Sequence, residues 1–384
     1  MHDEHPAQHP DAHSTERPTG SPTGHPAVRR GADPAVGALR LSRRRGIAAV
    51  SLLGLTALTG CATAAESDGA SDGGAASGRS DAGGSAAQRE GTWPRTVRIR
   101  EANVTLEAAP TRIVAVSTET ADMALQLVGS SRVIAVPDGM ADPHASNQSE
   151  LAAKVEETVQ GAPAPDPESI LSLDPDLVLL TERHEGEKSV GESITASGVP
   201  CAAFTAADFE TPETVAAALT TMGGLLGAES AAEDAVRRMD ERIATVEKEV
   251  EGADDAPRVL GLFARGGKQM LFAAGSSTST LIGLAAGTSI AEEAGWDASP
   301  SADPEVILDA SPDVILVQDF HGGGLGPFRE LLDRSALADV PAIAEDRVHL
   351  IDAMTTSGTA GARLGEGVEQ IAAILHPDLV TSAQ

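Results

Sequence analysis

Tyrosine is absent from this 384-residue chain, and the other aromatics are few: two tryptophans and six phenylalanines. The core must therefore be built from Ala, Val, Leu and Ile. Basic residues are also scarce, 28 Lys and Arg against 57 Asp and Glu, for a formal net charge of −29. Such a surface repels phosphate backbones and anionic headgroups, which argues against nucleic acid as a partner and favours solubility. The two cysteines, Cys61 and Cys201, are too few for a Cys-based zinc site. The Ser–His–Asp, HExxH and paired-carboxylate patterns are missing too. A GxSxG string at 69–73 has no strand before it and no helix after it, and the glycines of 322–326 lack the Lys-Ser/Thr of a phosphate loop. An enzyme is not expected. The length suits two domains plus tails.

The first ninety residues read as an address. Residues 1–40 are polar, rich in Pro and His, and without periodicity, the pattern of a disordered extension. A basic block, Arg40 to Arg45, precedes the twelve-residue apolar run Ile47 to Leu58, too short for a permanent span but matching a signal-peptide core. The run ends Leu58-Thr59-Gly60-Cys61, which resembles the lipobox of bacterial lipoproteins. That resemblance implies lipidation of Cys61 and a cell-membrane location, anchored on the extracytoplasmic face. Cys201 then has no disulfide partner and reads as a small core residue. Residues 61–92, mostly Ala, Gly, Ser and Asp, read as a flexible tether.

The folded part is organised by a repeat. Residues 166–186 (DPESILSLDPDLVLLTERHEG) and 303–323 (DPEVILDASPDVILVQDFHGG) are identical at ten of 21 positions, at an offset of 137. Each copy has an Asp-Pro helix start, a short apolar helix, a Pro-Asp break and an aliphatic strand, and each ends at a histidine, His184 or His321. The runs Leu177–Leu180 and Val314–Val317 do not alternate, so they are strands buried on both faces. Further strands are expected at 112–116, 132–136, 199–204, 258–263 and 348–351. Helices are expected at 121–128, 190–197, 278–286 and 365–375. This alternation predicts an α/β fold with two Rossmann-like lobes and parallel sheets, 93–215 and 253–384. Between them, within 216–252, Ala232, Val236, Met239, Ile243, Val246 and Val250 are spaced 4, 3, 4, 3, 4. Ser230 can cap the start and Gly252 the end, giving one long rigid helix of about 30 Å.

With Pro110-Thr-Arg-Ile-Val-Ala-Val, Gly275 and the helix after it, and Arg347-Val-His-Leu-Ile-Asp352 followed by Arg363-Leu-Gly365, this pattern resembles the iron-siderophore, haem and cobalamin substrate-binding proteins of ABC importers (class III). The likeness covers about residues 93–377. It implies a monomer that captures a ferric siderophore, with no intrinsic cofactor, and delivers it to an ABC permease dimer and its ATPase. Haem or cobalamin is the alternative cargo; a surface metal-processing or sensory lipoprotein without a permease is the alternative class. The resemblance also makes Glu168 and Glu305, in the two DPE triplets, the permease-docking carboxylates.

Ligands of open α/β sheets bind beyond the carboxyl ends of the strands. That rule selects Arg183, His184, Arg265, His321, Met354 and Arg363 as ligand-binding candidates, with Met140, His144, Lys268 and Trp296 nearby. The arginines suit an anionic ligand. No residue here is expected to bind metal directly, the iron being held by its chelate; His184 and His321 are the iron ligands if the cargo is haem. The haem signature common among related binders, a Tyr with a His before the first DPE helix, is missing.

Overall fold

In a computed structural model of the chain, each copy of the repeat is fastened by the same device. Asp176, after the Pro-Asp break, accepts hydrogen bonds from the Thr111 and Arg112 amides at 2.7 and 2.9 Å. Arg112 returns its guanidinium to the Leu173 and Asp174 carbonyls, at 2.5 and 2.8 Å, where the short helix ends. In the second copy Asp313 accepts from the Arg258 amide at 2.8 Å, and Arg258 donates to the Ala310 carbonyl at 2.6 Å. Each pair joins the start of one strand to the helix end and strand start of the repeat. The structure describes residues 90–380 apart from 163, 184 and 321. The expected extension and signal peptide with Cys61, and most of the expected tether, lie outside the described residues, as do His184 and His321.

An antiparallel hairpin, β1 (Arg95–Ile99) and β2 (Ala102–Leu106), opens the described part. The first parallel sheet has the order β5-β4-β3-β6-β7 and comprises β3 (Ile113–Ala115), β4 (Val133–Pro137), β5 (Glu157–Val159), β6 (Leu177–Glu182) and β7 (Cys201–Thr205). The second has the order β10-β8-β11-β12, from β8 (Arg258–Arg265), β10 (Thr288–Ser289), β11 (Val314–Asp319) and β12 (Val348–Asp352). There β9 (Lys268–Leu271) folds back antiparallel on β8, a hairpin the sequence reading did not anticipate. All the expected strands and helices form, with ends shifted by a few residues. The strand order reverses between β3 and β6 in one sheet and between β8 and β11 in the other.

The two aliphatic runs divide as the pleat requires. Leu177, Leu179, Val314 and Leu316 face one core that is continuous through both sheets. Val178 and Leu180 face a second cluster on the other side of the first sheet, and Ile315 and Val317 face a third on the other side of the second.

The inter-lobe helix spans Glu229–Glu249 and buries Ala232, Ala235, Met239, Ile243 and Val246. Val236 is only half-buried, because Ala235 takes the inner position. Ser230 does not cap it. Its amide and hydroxyl instead donate to the Glu90 carboxylate at 2.8 and 3.0 Å, so a carboxylate from before the first hairpin joins Glu229 at the helix start. A 3-10 turn, Val250–Gly252, closes the other end. On one side the strut packs on helix Pro212–Leu226, where Gly223 lies too near Ala232 to carry a Cβ. On the other it packs on helix Leu364–Leu375, tied by the Arg242–Glu369 ion pair at 2.5 Å. Helix Pro212–Leu226 also packs on helix Thr118–Val128 of the first sheet. No helix among the described residues is long and apolar enough to cross a membrane.

Replacing Asp176 or Asp313 with Ala strips an acceptor from strand-start amides. Each change should lower stability by about 1–3 kcal/mol in urea unfolding. A loss below about 0.3 kcal/mol for both would show that the staples do not hold the repeats.

Candidate functional site

The two points of strand reversal face one cavity of about 340 Å3, lined by Glu119, Arg183, Phe263, Ala264, Arg265, Phe320 and the turn Ser357–Thr359. Glu119, Arg183, Phe263, Ala264, Arg265 and Phe320 end or follow a strand at a carboxyl edge, or start the next helix, where an α/β sheet leaves backbone groups and side chains free for a ligand, and the turn 357–359 comes after the short helix Ala353–Thr356 that follows β12. A larger open hollow, about 620 Å3, lies beside Gly252–Pro257 and Leu375–Leu379. It borders the amino ends of β8 and β11, the wrong end of the sheet for a site of this kind, so the smaller cavity is the candidate.

Beneath the cavity the two halves differ. In the first sheet Ser117 shares hydroxyl hydrogen bonds with Thr120 at 3.0 Å and Thr181 at 2.8 Å. Glu119, only 3% exposed, forms an ion pair with Arg183. Burial draws the Arg183 guanidinium below its ordinary range, assisted by nearby Arg265 and opposed by Glu187 and Glu210. In the second sheet the corresponding floor is neutral: Gln318 donates to Thr278 at 3.2 Å and to Thr356 at 2.7 Å. Arg183 and Phe320 occupy the same repeat position. The first half thus contributes a compensated charge pair and the second an aromatic wall, with Phe263 stacked on Phe272 at 4.9 Å between centroids.

Of the expected ligand-binding residues, Arg183 and Arg265 meet in the cavity. Arg363 and Met354 do not line it. Met354 is buried at the start of helix Ala353–Thr356. Arg363 pairs with Glu366 at 2.9 Å and donates to the Asn147 side chain at 2.5 Å. Trp296 packs into the core of the second sheet, and Met140 is buried in the large core, so neither walls the pocket. His144 is exposed and stands over Gly322, at a distance where an added Cβ would touch its ring. The glycines at 323 and 324 already donate their amides to Asp319, at 3.1 and 2.7 Å, which leaves no phosphate cradle there. Among the described residues no group of three or more metal-ligating side chains occurs. Cys201 is half-buried; burial and the charge of Glu182 push its thiol up to about 12, so it is unreactive near neutral pH.

Strand-end logic reached Glu119, within the segment 117–119 at the cleft, without giving it a role, and it missed Asp122. Their signal was two carboxylates three residues apart in a helix, Thr118–Val128, whose other residues are uncharged. Asp122 is 6% exposed and accepts from Ser146 at 2.5 Å and from the Asn147 and Gln148 amides at 3.0 and 3.2 Å. The loop so held reaches across the cleft. Asn147 donates to the Thr359 and Ala360 carbonyls at 3.1 and 3.3 Å while it accepts from Arg363. One amide therefore makes three bonds between the half built on the first sheet and the half built on the second.

The Periplasmic binding protein family matches residues 113–355, and the chain belongs to that family. The fold is that of solved members of the class. A periplasmic haem-binding protein from Roseiflexus sp. RS-1, in apo form, is 24% identical, with TM-score 0.59 over 69% of this chain and 98% of its own. One from Pseudomonas aeruginosa is 21% identical, with TM-score 0.59 over 72% and 95%. An ABC-type Fe3+-hydroxamate transport system protein from Saccharomonospora viridis is 18% identical, with TM-score 0.58 over 74% and 100%. Among curated proteins none matches.

Burial raises the Asp122 pKa from 3.8 to about 6, against the pull of its hydrogen bonds and Arg363. The folded chain therefore holds this proton to a higher pH than the unfolded chain does. The stability linked to it is complete below about pH 4 and is lost as pH rises through about 6. The melting temperature of the wild type should accordingly gain on that of Asp122→Ala as pH falls from 7.5 to 5; a constant gap would contradict burial as the dominant influence. Asn147→Ala should speed amide hydrogen exchange at both 144–148 and 357–363. Unchanged exchange at 357–363 would show that the bridge carries no load.

Proposed function

We propose that the chain is an extracytoplasmic substrate-binding protein, anchored through lipid on Cys61, that captures a ferric siderophore and hands it to an ABC permease and its ATPase. The observation that carries this reading is the cavity itself. It lies at the strand-reversal points of two sheets joined by one strut helix, and is lined by arginines, aromatic rings and hydroxyls. The family match and the shared fold support the transport class. The Fe3+-hydroxamate and haem proteins among the structural neighbours support an iron-containing cargo.

Mechanism is capture without bond making. The strut and the Asn147 bridge hold the two halves close to their final spacing, which limits the ordering cost of binding. Phe263 and Phe320 cover the apolar surface of the chelate while Arg265 and the 357–359 hydroxyls meet its oxygens. Haem is the second reading, favoured by the names of two neighbours. Among the described residues, however, no His, Met or Cys lines the cavity.

Glu168 and Glu305 present the loaded protein. Both are exposed and sit in the first turn of equivalent helices, Pro167–Ser172 and Pro304–Ala310, whose N-caps are Asp166 and Asp303. Crossover helices run antiparallel to their strands, so both first turns lie on the cleft side of the sheets. A two-fold permease with a cation on each half would engage them together.

Calorimetric titration with a ferric siderophore, the same siderophore without iron, hemin and cobalamin tests the cargo. Saturable binding of the ferric form alone, at micromolar concentration or tighter, is expected. Turnover of the chelate, or heat from hemin only, would overturn the siderophore reading. Changing Glu168 and Glu305 together to Ala should abolish uptake with ligand affinity kept within about twofold; weakened binding would contradict the docking role.

A further inference from the structure

We propose that Glu119 is a specificity-determining residue, a charge filter that turns the cleft away from strongly anionic chelates and toward those of net charge near zero. This rests on the reading that the cargo is an iron chelate, and it names which kind.

Three arginines at strand ends look from the sequence like an anion trap, but the structure distributes them differently. Arg363 pairs with Glu366 and Asn147 outside the cavity. Arg183 is already compensated by Glu119. The Glu187 carboxylate accepts the Arg183 amide at 2.6 Å, and Glu187 and Glu210 both lie near enough to act on the Arg183 charge. Arg265 is the cavity arginine left without an ion pair among the described residues, and it is exposed. One of the two cavity arginines, Arg183, is therefore set against three carboxylates, in a chain whose formal charge is −29. Glu119 is the deepest of these groups, so solvent screens it least and a bound ligand feels it most.

The chemistry of ferric chelates makes the consequence specific. Three hydroxamates each lose one proton and leave the ferric complex neutral. Three catecholates each lose two and leave it a trianion. A cleft with one unpaired arginine and two phenylalanine rings matches the neutral complex, whose outer surface is largely apolar. It opposes the trianion, which needs several uncompensated cations.

The test is calorimetric titration of the purified full chain with a ferric tris-hydroxamate and a ferric tris-catecholate, for the wild type, Glu119→Gln and Arg265→Gln, with thermal melts to confirm folding. The wild type should bind the hydroxamate at least tenfold more tightly than the catecholate. Glu119→Gln, which frees the Arg183 charge, should narrow that preference at least tenfold; Arg265→Gln should widen it. Equal or tighter binding of the catecholate by the wild type would overturn the filter and leave iron-chelate capture standing. So would a Glu119→Gln variant that weakens both ligands in proportion, the result of a purely structural ion pair. Binding of neither chelate would overturn the filter together with the siderophore reading.

Discussion

The fold depends on the reciprocal pair of an arginine at a strand start and an aspartate after a Pro-Asp break. Arg112 with Asp176, and Arg258 with Asp313, each close a loop between sequence-distant segments. Each pair satisfies strand-start amides and helix-end carbonyls that would otherwise lack partners near the protein interior. It also fixes the angle at which the short Asp-Pro helix leaves its sheet. Because the pair occurs twice, the two helices and their first-turn glutamates are held in equivalent places. The repeat is thus a repeated hydrogen-bond circuit, and its aliphatic strands supply the burial.

The second constraint is continuity of the core. The strut helix lies between helix Pro212–Leu226 and helix Leu364–Leu375, and one apolar cluster runs from the first sheet through the strut to the second. Hinge motion about such an element would have to open packed surface, a cost that grows with apolar area. The Asn147 bridge adds a polar tie at the cleft mouth. Together they leave a cavity whose width is set largely in advance, as suits a carrier whose cargo must be held and then released intact.

The charges around the cavity follow a different logic from those in the first turns of the two repeat helices. Glu168 and Glu305 are exposed and lack ion pairs among the described residues. Glu119 and Asp122 are buried in one apolar helix and engaged at once, one by Arg183 and the other by the 146–148 loop. A buried carboxylate needs such partners, since an unpaired one would be neutralised or expelled. The same residue type therefore stays solvated in one place and is locked into the wall of a cavity or a loop contact in the other, according to its burial.

Much of the architecture was legible in the residues. The duplicated DPE–Pro-Asp–aliphatic pattern predicted two parallel sheets, and the non-alternating runs predicted strands buried on both faces. The 4, 3, 4 spacing predicted the strut; its inner face differs at Val236, where Ala235 faces inward, and Ser230 does not cap its start. These succeed because burial imposes a local period that the sequence must carry. The β8–β9 hairpin escaped notice because its short run is half-exposed and bounded by ordinary turn glycines. The site was far less legible. Strand-end logic brought Arg183 and Arg265 to the cavity, yet it also selected Arg363 and Met354, which lie elsewhere. It missed Phe263, and it gave no role to Glu119 and Phe320 although both lie in strand-end segments, 117–119 and 319–326, that it assigned to the cleft. Composition and period therefore determined which segments form sheets and how the halves are joined. Only the tertiary structure decided which charges meet. Ion pairs such as Glu119–Arg183 and bridges such as Asn147–Arg363 join residues 64 and 216 positions apart, a separation that no local pattern records.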